Sequence, residues 1–367
     1  MIIGVPKEIK PDEYRVGMVP AGVGQLVLAG HTVLIEKSAG IGSGFPDTTY
    51  ITEGADIIDT AEEIWSRAEM IVKVKEPIEP EFPLLREGLI LYTYLHLAAD
   101  KRLTETLLEK KIIGIAYETV QESNGSLPLL VPMSEIAGRM SIHEGAKYLE
   151  KERGGRGILL GGVPGVPSGN VVILGGGLVG LNAAKMAVGL GARVTIIDLS
   201  LPRLQYLDDI FGNRIETLHS NPHTISEQAK IADLLVGAVL LPGAKAPRLV
   251  SKSLVTEMRE GSVIVDVSVD QGGCIETTKP TTHHDPTYFV SGVQHYCVAN
   301  MPGSVPRTST IALTNATFKF AMEIAENGFD NAVKNNLALR KGVNMHFGKL
   351  TCRQVADSHQ LEYTVLD

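Results

Sequence analysis

Cysteine is scarce: Cys274, Cys297 and Cys352 are the three in 367 residues, odd in number and without a Cys-x-x-Cys pair. That usage points to a reducing compartment. Long apolar runs are missing as well. None approaches the roughly 20 residues that span a bilayer, and Lys7, Glu8 and Lys10 stand too early for a signal-peptide core. A cytoplasmic chain with no membrane partner is therefore expected. There is no excess of basic charge: 42 acidic against 34 basic residues give a net charge of −8, which argues against a nucleic-acid partner and leaves small anionic substrates open. Low-complexity tracts and short tandem repeats are lacking too. What remains is a composition of globular type, 44% hydrophobic and 21% charged, long enough for two domains with their own cores.

The most informative stretch runs from Asn170 to Asp198. A β-branched run, Val171 to Leu174, leads directly into Gly175, Gly177 and Gly180 in the pattern G-x-G-x-x-G. An Ala- and Leu-rich segment follows, then Gly191, then Val194 to Ile197 ending at Asp198. This is a β-α-β unit with a dinucleotide fingerprint in its first turn. Gly175 permits the tight turn, Gly177 admits the pyrophosphate to the backbone, and Gly180 lets the helix pack on the sheet. The helix N-terminus offers free N–H groups to phosphates, and Asp198 stands where an acid accepts from ribose hydroxyls.

In chain order, strands are expected at Ile2–Val5, Thr32–Glu36, Met70–Val74, Leu89–Leu95 and Ile112–Ala116. Helices between them include one capped by Thr60 and one opened by Asp100. That alternation means a parallel sheet covered on both faces. A long helix covers Pro132–Lys151, and the glycine- and proline-rich Gly154–Gly169 reads as a loop. After Asp198, strands at Glu216–His219, Leu234–Val239, Val263–Val267 and Tyr288–Val290 complete a doubly wound domain. Ser309–Asn327 is a helix ended by Gly328, and no new strand series follows it. The tail must then pack on the N-terminal part. The fold class is α/β, with two Rossmann-like doubly wound domains and an active-site cleft between them: residues 1–130 plus 306–367 form a discontinuous substrate domain, and 131–305 the nucleotide domain.

Ligands of open parallel sheets bind outside the carboxyl ends of strands. Four polar residues fall there: Arg15 after the first strand, Lys75, His96, and Asp270 in the nucleotide domain. An arginine holds a carboxylate bidentately, a lysine adds charge, and a histidine moves protons near neutral pH. The set suits an amino or oxo acid beside a nicotinamide. Taken one by one, Arg15 and Lys75 read first as solvated charges, His96 as a structural histidine and Asp270 as a turn residue; their shared position after strands favours the functional reading. His283-His284-Asp285 lacks metal-site spacing, so no metal is assigned. Cys274 and Cys297 have no evident activating base.

The chain also resembles the L-alanine dehydrogenases along essentially its whole length. The similarity is carried by Gly4-Val5-Pro6-Lys7-Glu8, Glu13-Tyr14-Arg15-Val16, Val74-Lys75-Glu76-Pro77, Tyr94-Leu95-His96, the glycine turn from Leu174, Pro242-Gly243-Ala244-Lys245, Val269-Asp270-Gln271-Gly272-Gly273 and Tyr296 to Pro302. The resemblance implies NAD-dependent oxidative deamination of L-alanine to pyruvate and ammonia, and its reverse, in a homo-oligomer that is usually hexameric. It implies that Arg15 and Lys75 bind the substrate carboxylate and that His96 and Asp270 carry acid–base chemistry. It places Ser134, Leu178, Val179, Asp198, Arg203, Ser220, Val239, Leu240, Val267, Ser268, Val269, Lys279, Val298, Ala299, Asn300 and Met301 against NAD. Pro202 and Lys279 depart from the usual pattern. Some relatives hold a divalent ion through a histidine where this chain has Asn327, so that site does not carry over.

Three rivals stay open: the nucleotide-binding part of a proton-translocating transhydrogenase, a non-catalytic NAD sensor, and a saccharopine-type dehydrogenase. Asp198 disfavours a 2′-phosphate, while Arg203 could tolerate one.

Overall fold

The first half of the chain lays down six strands: β1 (Ile2–Val5), β2 (Thr32–Glu36), β3 (Asp56–Ile58), β4 (Met70–Val72), β5 (Ile90–Thr93) and β6 (Ile113–Ala116). Seven more follow: β7 (Asn170–Leu174), β8 (Arg193–Asp198), β9 (Glu216–His219), β10 (Leu234–Gly237), β11 (Val263–Asp266), β12 (Thr287–Val290) and β13 (Val293–Tyr296). A hairpin near the end adds β14 (Val343–His346) and β15 (Lys349–Leu350). The computed structural model describes residues 1–239 and 246–366, leaving aside the side chains of Asp270 and Gln271. Contacts divide the chain into two units, Met1–Met133 with Val305–Asp367, and Ser134–Ser304.

In the first unit the sheet order is β3-β2-β1-β4-β5-β6-β14-β15. The first six strands are parallel, and β14 and β15 pair antiparallel at the edge. Successive residues of a strand face opposite sides. Met70 and Val72 accordingly feed one core, and Ile71 feeds the other. Helix Pro306–Asn335 covers the first of these cores with Leu313, Phe320 and Ile324. Tyr92, inside that core, donates its hydroxyl to the Thr317 carbonyl at 3.0 Å.

The second unit has the order β9-β8-β7-β10-β11-β13-β12. Helix Val131–Tyr148 carries the chain into it. Six strands are parallel, and β12 is an antiparallel edge on β13. Among the parallel strands of each sheet the order reverses once, between β1 and β4 and between β7 and β10. The carboxyl ends of those pairs open the crevice where α/β sheets bind ligands.

Several elements differ from the sequence expectation. The last parallel strand of the second sheet is Val293–Tyr296, not Tyr288–Val290, which supplies the edge. Strand β3 was not expected, nor were the two tail strands. The strand before Lys75 stops at Val72, because the Val74 amide donates to the Glu8 carboxylate instead of a neighbouring strand. Gly328 does interrupt its helix, with φ 73° and ψ 161°, but helical structure resumes to Asn335.

Beneath the carboxyl ends of β1 and β4 lies a buried charge cluster. Lys73 is fully buried, 2.6 Å from Glu81 Oε1 and 3.1 Å from Glu8 Oε2. Burial disfavours its ammonium, but the charges and hydrogen bonds of Glu8 and Glu81 outweigh this and raise its pKa above the ordinary lysine value. Removing the shared cation leaves two buried carboxylates facing each other. Lys73→Met is therefore expected to cost about 3–5 kcal/mol, read as a lower denaturant midpoint; an unchanged midpoint would contradict this account of the cluster.

Candidate active site

Arg15 lies in the loop after β1 and is only 2% exposed. Buried charge must be paired, and the sequence supplies the partner two residues earlier. Arg15 Nε donates to Glu13 Oε1 at 2.6 Å and Nη2 to Glu13 Oε2 at 2.5 Å, a bidentate pair. Nη1 donates to Met133 Sδ at 3.0 Å. Burial pushes the Glu13 carboxyl up, but the hydrogen bonds and charge of Arg15 outweigh that and hold it below its ordinary 4.5.

Lys75 is half-buried after β4. Glu8 Oε1 fixes the backbone there, accepting from the amides of Val74 at 2.6 Å and Lys75 at 3.2 Å. Burial, and then the neighbouring charge of Arg15, lower the Lys75 pKa. Two cations that each raise the cost of the other form a site that an anion relieves. Glu76 stands beside them, paired with Lys10. Burial raises its pKa, but the Lys10 hydrogen bond and the charges of Lys75, Lys10 and His96 together bring it down.

His96 is exposed at the end of β5, and its backbone is left-handed, φ 49° and ψ 33°. Its ring stacks on Tyr94, with centroids 5.7 Å apart and planes within 7°. Arg15, Lys75 and His96 thus follow three adjacent strands, β1, β4 and β5.

In the second unit Gly175 has φ 99°, a conformation open to glycine. A Cβ on Gly180 would meet the Gly175 carbonyl oxygen at 1.9 Å, whereas one on Gly177 would meet nothing within 4 Å. The turn therefore packs tightly inward at Gly180 and faces open space at Gly177, where helix Leu178–Gly189 begins. That is a cradle for a pyrophosphate. Leu178 and Val179 form its first turn. Asp198 accepts from the Gly176 amide at 2.6 Å and the Ser200 amide at 2.8 Å, one on each oxygen. A carboxylate oxygen has lone pairs beyond one bond, so these acceptors fit ribose hydroxyls. Arg203 turns back onto the glycine turn, donating to the carbonyls of Gly176 and Gly177, and lies 4.8 Å over the Tyr206 ring.

The other nucleotide candidates also follow strands. Ser220, after β9, donates its amide to the Asp198 carbonyl at 3.0 Å. Val239 follows β10, while Leu240 and the Pro242–Lys245 stretch lie outside the described residues. Val267, Ser268 and Val269 share a 3₁₀ turn after β11 with the backbone of Asp270, whose side chain is outside the description. Val298 and Met301 are buried after β13, and Asn300 has φ 59°. Lys279 reaches over the Tyr288 ring at 4.8 Å, and Ser134 sits in helix Val131–Tyr148.

Sequence reasoning missed the carboxylates behind these groups. Glu13 was legible, since residues two apart share a side of an extended segment. Glu8, Glu118 and Asp266 were not. Asp266 is buried at the end of β11 and accepts from Ser268 N, Cys274 N and Thr278 Oγ1 at 3.0, 3.1 and 2.7 Å, which closes the loop bearing Asp270. Burial pushes the Cys297 thiol up to about 12 and also raises Cys274, so neither favours a thiolate. His283 is taken by Ser304 at 2.8 Å.

Comparison with known proteins follows the same outline. Residues 4–137 match the family model "Alanine dehydrogenase/PNT, N-terminal domain", and residues 141–353 match "Alanine dehydrogenase/PNT, C-terminal domain". An alanine dehydrogenase of Methanococcus maripaludis is 61% identical, covering 99% of this chain and 98% of that protein. A solved L-alanine dehydrogenase is 55% identical with a TM-score of 0.96, over 98% of this chain and 99% of that one. A transhydrogenase from Sinorhizobium meliloti shares the fold at a TM-score of 0.84 and 23% identity, over 96% of this chain and 100% of that one.

The two glycines separate packing from binding. Gly180→Ala should cost roughly 1–3 kcal/mol of stability, whereas Gly177→Ala should keep the wild-type Tm and weaken dinucleotide binding in a titration. Equal Tm losses would contradict the assignment. Glu13, held below its ordinary value, contributes stability that is present above pH 4.5 and lost as pH falls through its folded value. The stability gap between wild type and Glu13→Gln in urea should therefore close below pH 4.5; a gap independent of pH would show that Glu13 is not held by Arg15.

Proposed function

The chain belongs to the alanine dehydrogenase/PNT family, and we propose that it catalyses the NAD-dependent oxidative deamination of L-alanine to pyruvate and ammonia, and the reverse. The observation that carries this reading is the placement of Arg15, Lys75 and His96 on the carboxyl ends of three adjacent strands, in a chain 61% identical to an alanine dehydrogenase. Beyond the family, the proposal includes NAD as the nucleotide, a cytoplasmic setting and a homohexamer. Among the described residues no helix is long and apolar enough to cross a membrane.

Arg15 receives the substrate carboxylate, held charged and oriented by Glu13. Lys75 adds the second positive charge, and the anion relieves the repulsion between the two. NAD, when bound at the glycine turn, supplies the acceptor for the hydride of the alanine Cα. Asp198 takes the ribose hydroxyls, and its charge repels a 2′-phosphate. Once the amino group has given up one proton to solvent, loss of hydride leaves an iminium carbon to which water adds. His96 takes the proton of that water, and Asp270 shares the proton traffic as the carbinolamine releases ammonia. This division of labour between His96 and Asp270 is part of the proposal.

The assay is direct. Purified protein given L-alanine and NAD at alkaline pH should form NADH, and His96→Ala should lose about 10²–10⁴-fold in kcat. Absence of NADH overturns the function; near-normal turnover by His96→Ala overturns the role of His96 alone.

A further inference from the structure

The backbone around His96 carries information that the ring does not. His96 is one of few non-glycine residues here in the left-handed region, a conformation that persists only where the surroundings hold it. Glu118 holds it. This residue sits in the short 3₁₀ turn Tyr117–Thr119, directly after β6. Its carboxylate reaches across 22 residues of sequence to the end of the neighbouring strand. Glu118 Oε1 accepts from the His96 amide at 2.6 Å, and Oε1 and Oε2 each lie 3.2 Å from the Leu95 amide. Two successive amides that would otherwise end β5 unpaired converge on one charged acceptor.

The turn bearing Glu118 is itself tied down. Thr119 Oγ1 donates to Asn344 Oδ1 at 2.7 Å, on β14. Below His96, Tyr94 donates its hydroxyl to the Leu129 carbonyl at 2.7 Å and packs edge-on against Tyr117 at 5.1 Å. His96 is therefore gripped from two sides: its main chain by Glu118, and its ring by the Tyr94 face.

The geometry points to Glu118 as a positioning residue for His96, acting through the main chain and not on the substrate. The carboxylate fixes the left-handed turn that aims the imidazole, and charged acceptors make the stronger hydrogen bonds. A general base works only within hydrogen-bond reach of its proton, and an ångström of misplacement is costly in rate. The inference rests on the reading of His96 as the acid–base group.

The test uses the full-length protein and four variants: Glu118→Ala, Glu118→Gln, His96→Ala and the double Glu118→Ala/His96→Ala. NADH formation from L-alanine gives kcat and both KM values, and thermal unfolding gives Tm. Glu118→Ala is expected to lose at least about tenfold in kcat with the KM for NAD unchanged. Glu118→Gln, whose amide oxygen still accepts from the His96 amide, should fall between that variant and wild type, at about a threefold loss. In the His96→Ala background the Glu118 change should have no further effect, since residues that act as a unit are non-additive. A general structural lesion would instead lower activity in that background too, and that result overturns the inference. So does wild-type kcat in Glu118→Ala. If that variant does not fold, Glu118→Gln decides, and wild-type kcat there overturns it. Should His96→Ala itself keep its turnover, it is the proposed role of His96 that fails, which the single variant shows on its own.

Discussion

A guanidinium keeps its proton in a protein interior, so a buried arginine must be answered by a carboxylate, and the first unit is arranged around that demand. Arg15 is answered by Glu13 in a bidentate pair. Lys73 is answered by Glu8 and Glu81. Glu8 has a second task, since the oxygen facing away from Lys73 ties down the amides of Val74 and Lys75. Ion pairs of this kind are weak evidence for stability. Their value here is geometric: the loops after β1 and β4 are pinned by charge, and Lys75 and Arg15 emerge from pinned backbone. The same device recurs where Glu118 holds His96.

The second unit meets a different constraint, that of backbone approach. At Gly180 the helix sits so close to the Gly175 carbonyl that no side chain fits, while Gly177 opens outward. Asp198 then locks the turn through the Gly176 amide, and Arg203 locks it through the carbonyls of Gly176 and Gly177. These bonds shape the turn from within the protein, and a preformed helix terminus is what anion binding uses. Arg203 commits Nε and Nη2 to the turn, which fixes its guanidinium beside Asp198, where the 2′-hydroxyl of a bound nucleotide would lie.

The polar strand ends were legible because parallel sheets put them there: Arg15, Lys75 and His96 were read from their place after strands, and Asp198 from the β-α-β fingerprint that it ends. Residues paired far along the chain were not. Nothing local to Glu118 shows that it meets an amide 22 residues away, and nothing local to Glu8 shows that it meets one 66 residues away. Strand β13 was hidden by its own composition. Gln294 and His295 look exposed in sequence, yet both are buried, with His295 Nε2 against Thr277 Oγ1 and Nδ1 against the Val293 carbonyl. The apolar Tyr288-Phe289-Val290 took its place in the reading, although it is the solvent-facing edge. Strand β14 was obscured in the same way by Asn344, whose amide oxygen is satisfied by Thr119.

The central claim is that the carboxyl ends of the first sheet present an amino acid whose Cα hydrogen passes to a nicotinamide. It is tested most directly by giving the protein L-alanine deuterated at C2 with NAD and examining the reduced nucleotide by NMR. The account predicts deuterium at C4 of the reduced nicotinamide ring, in equal amount to the pyruvate formed. Reduced nucleotide without deuterium, or pyruvate formed without reduced nucleotide, would contradict it.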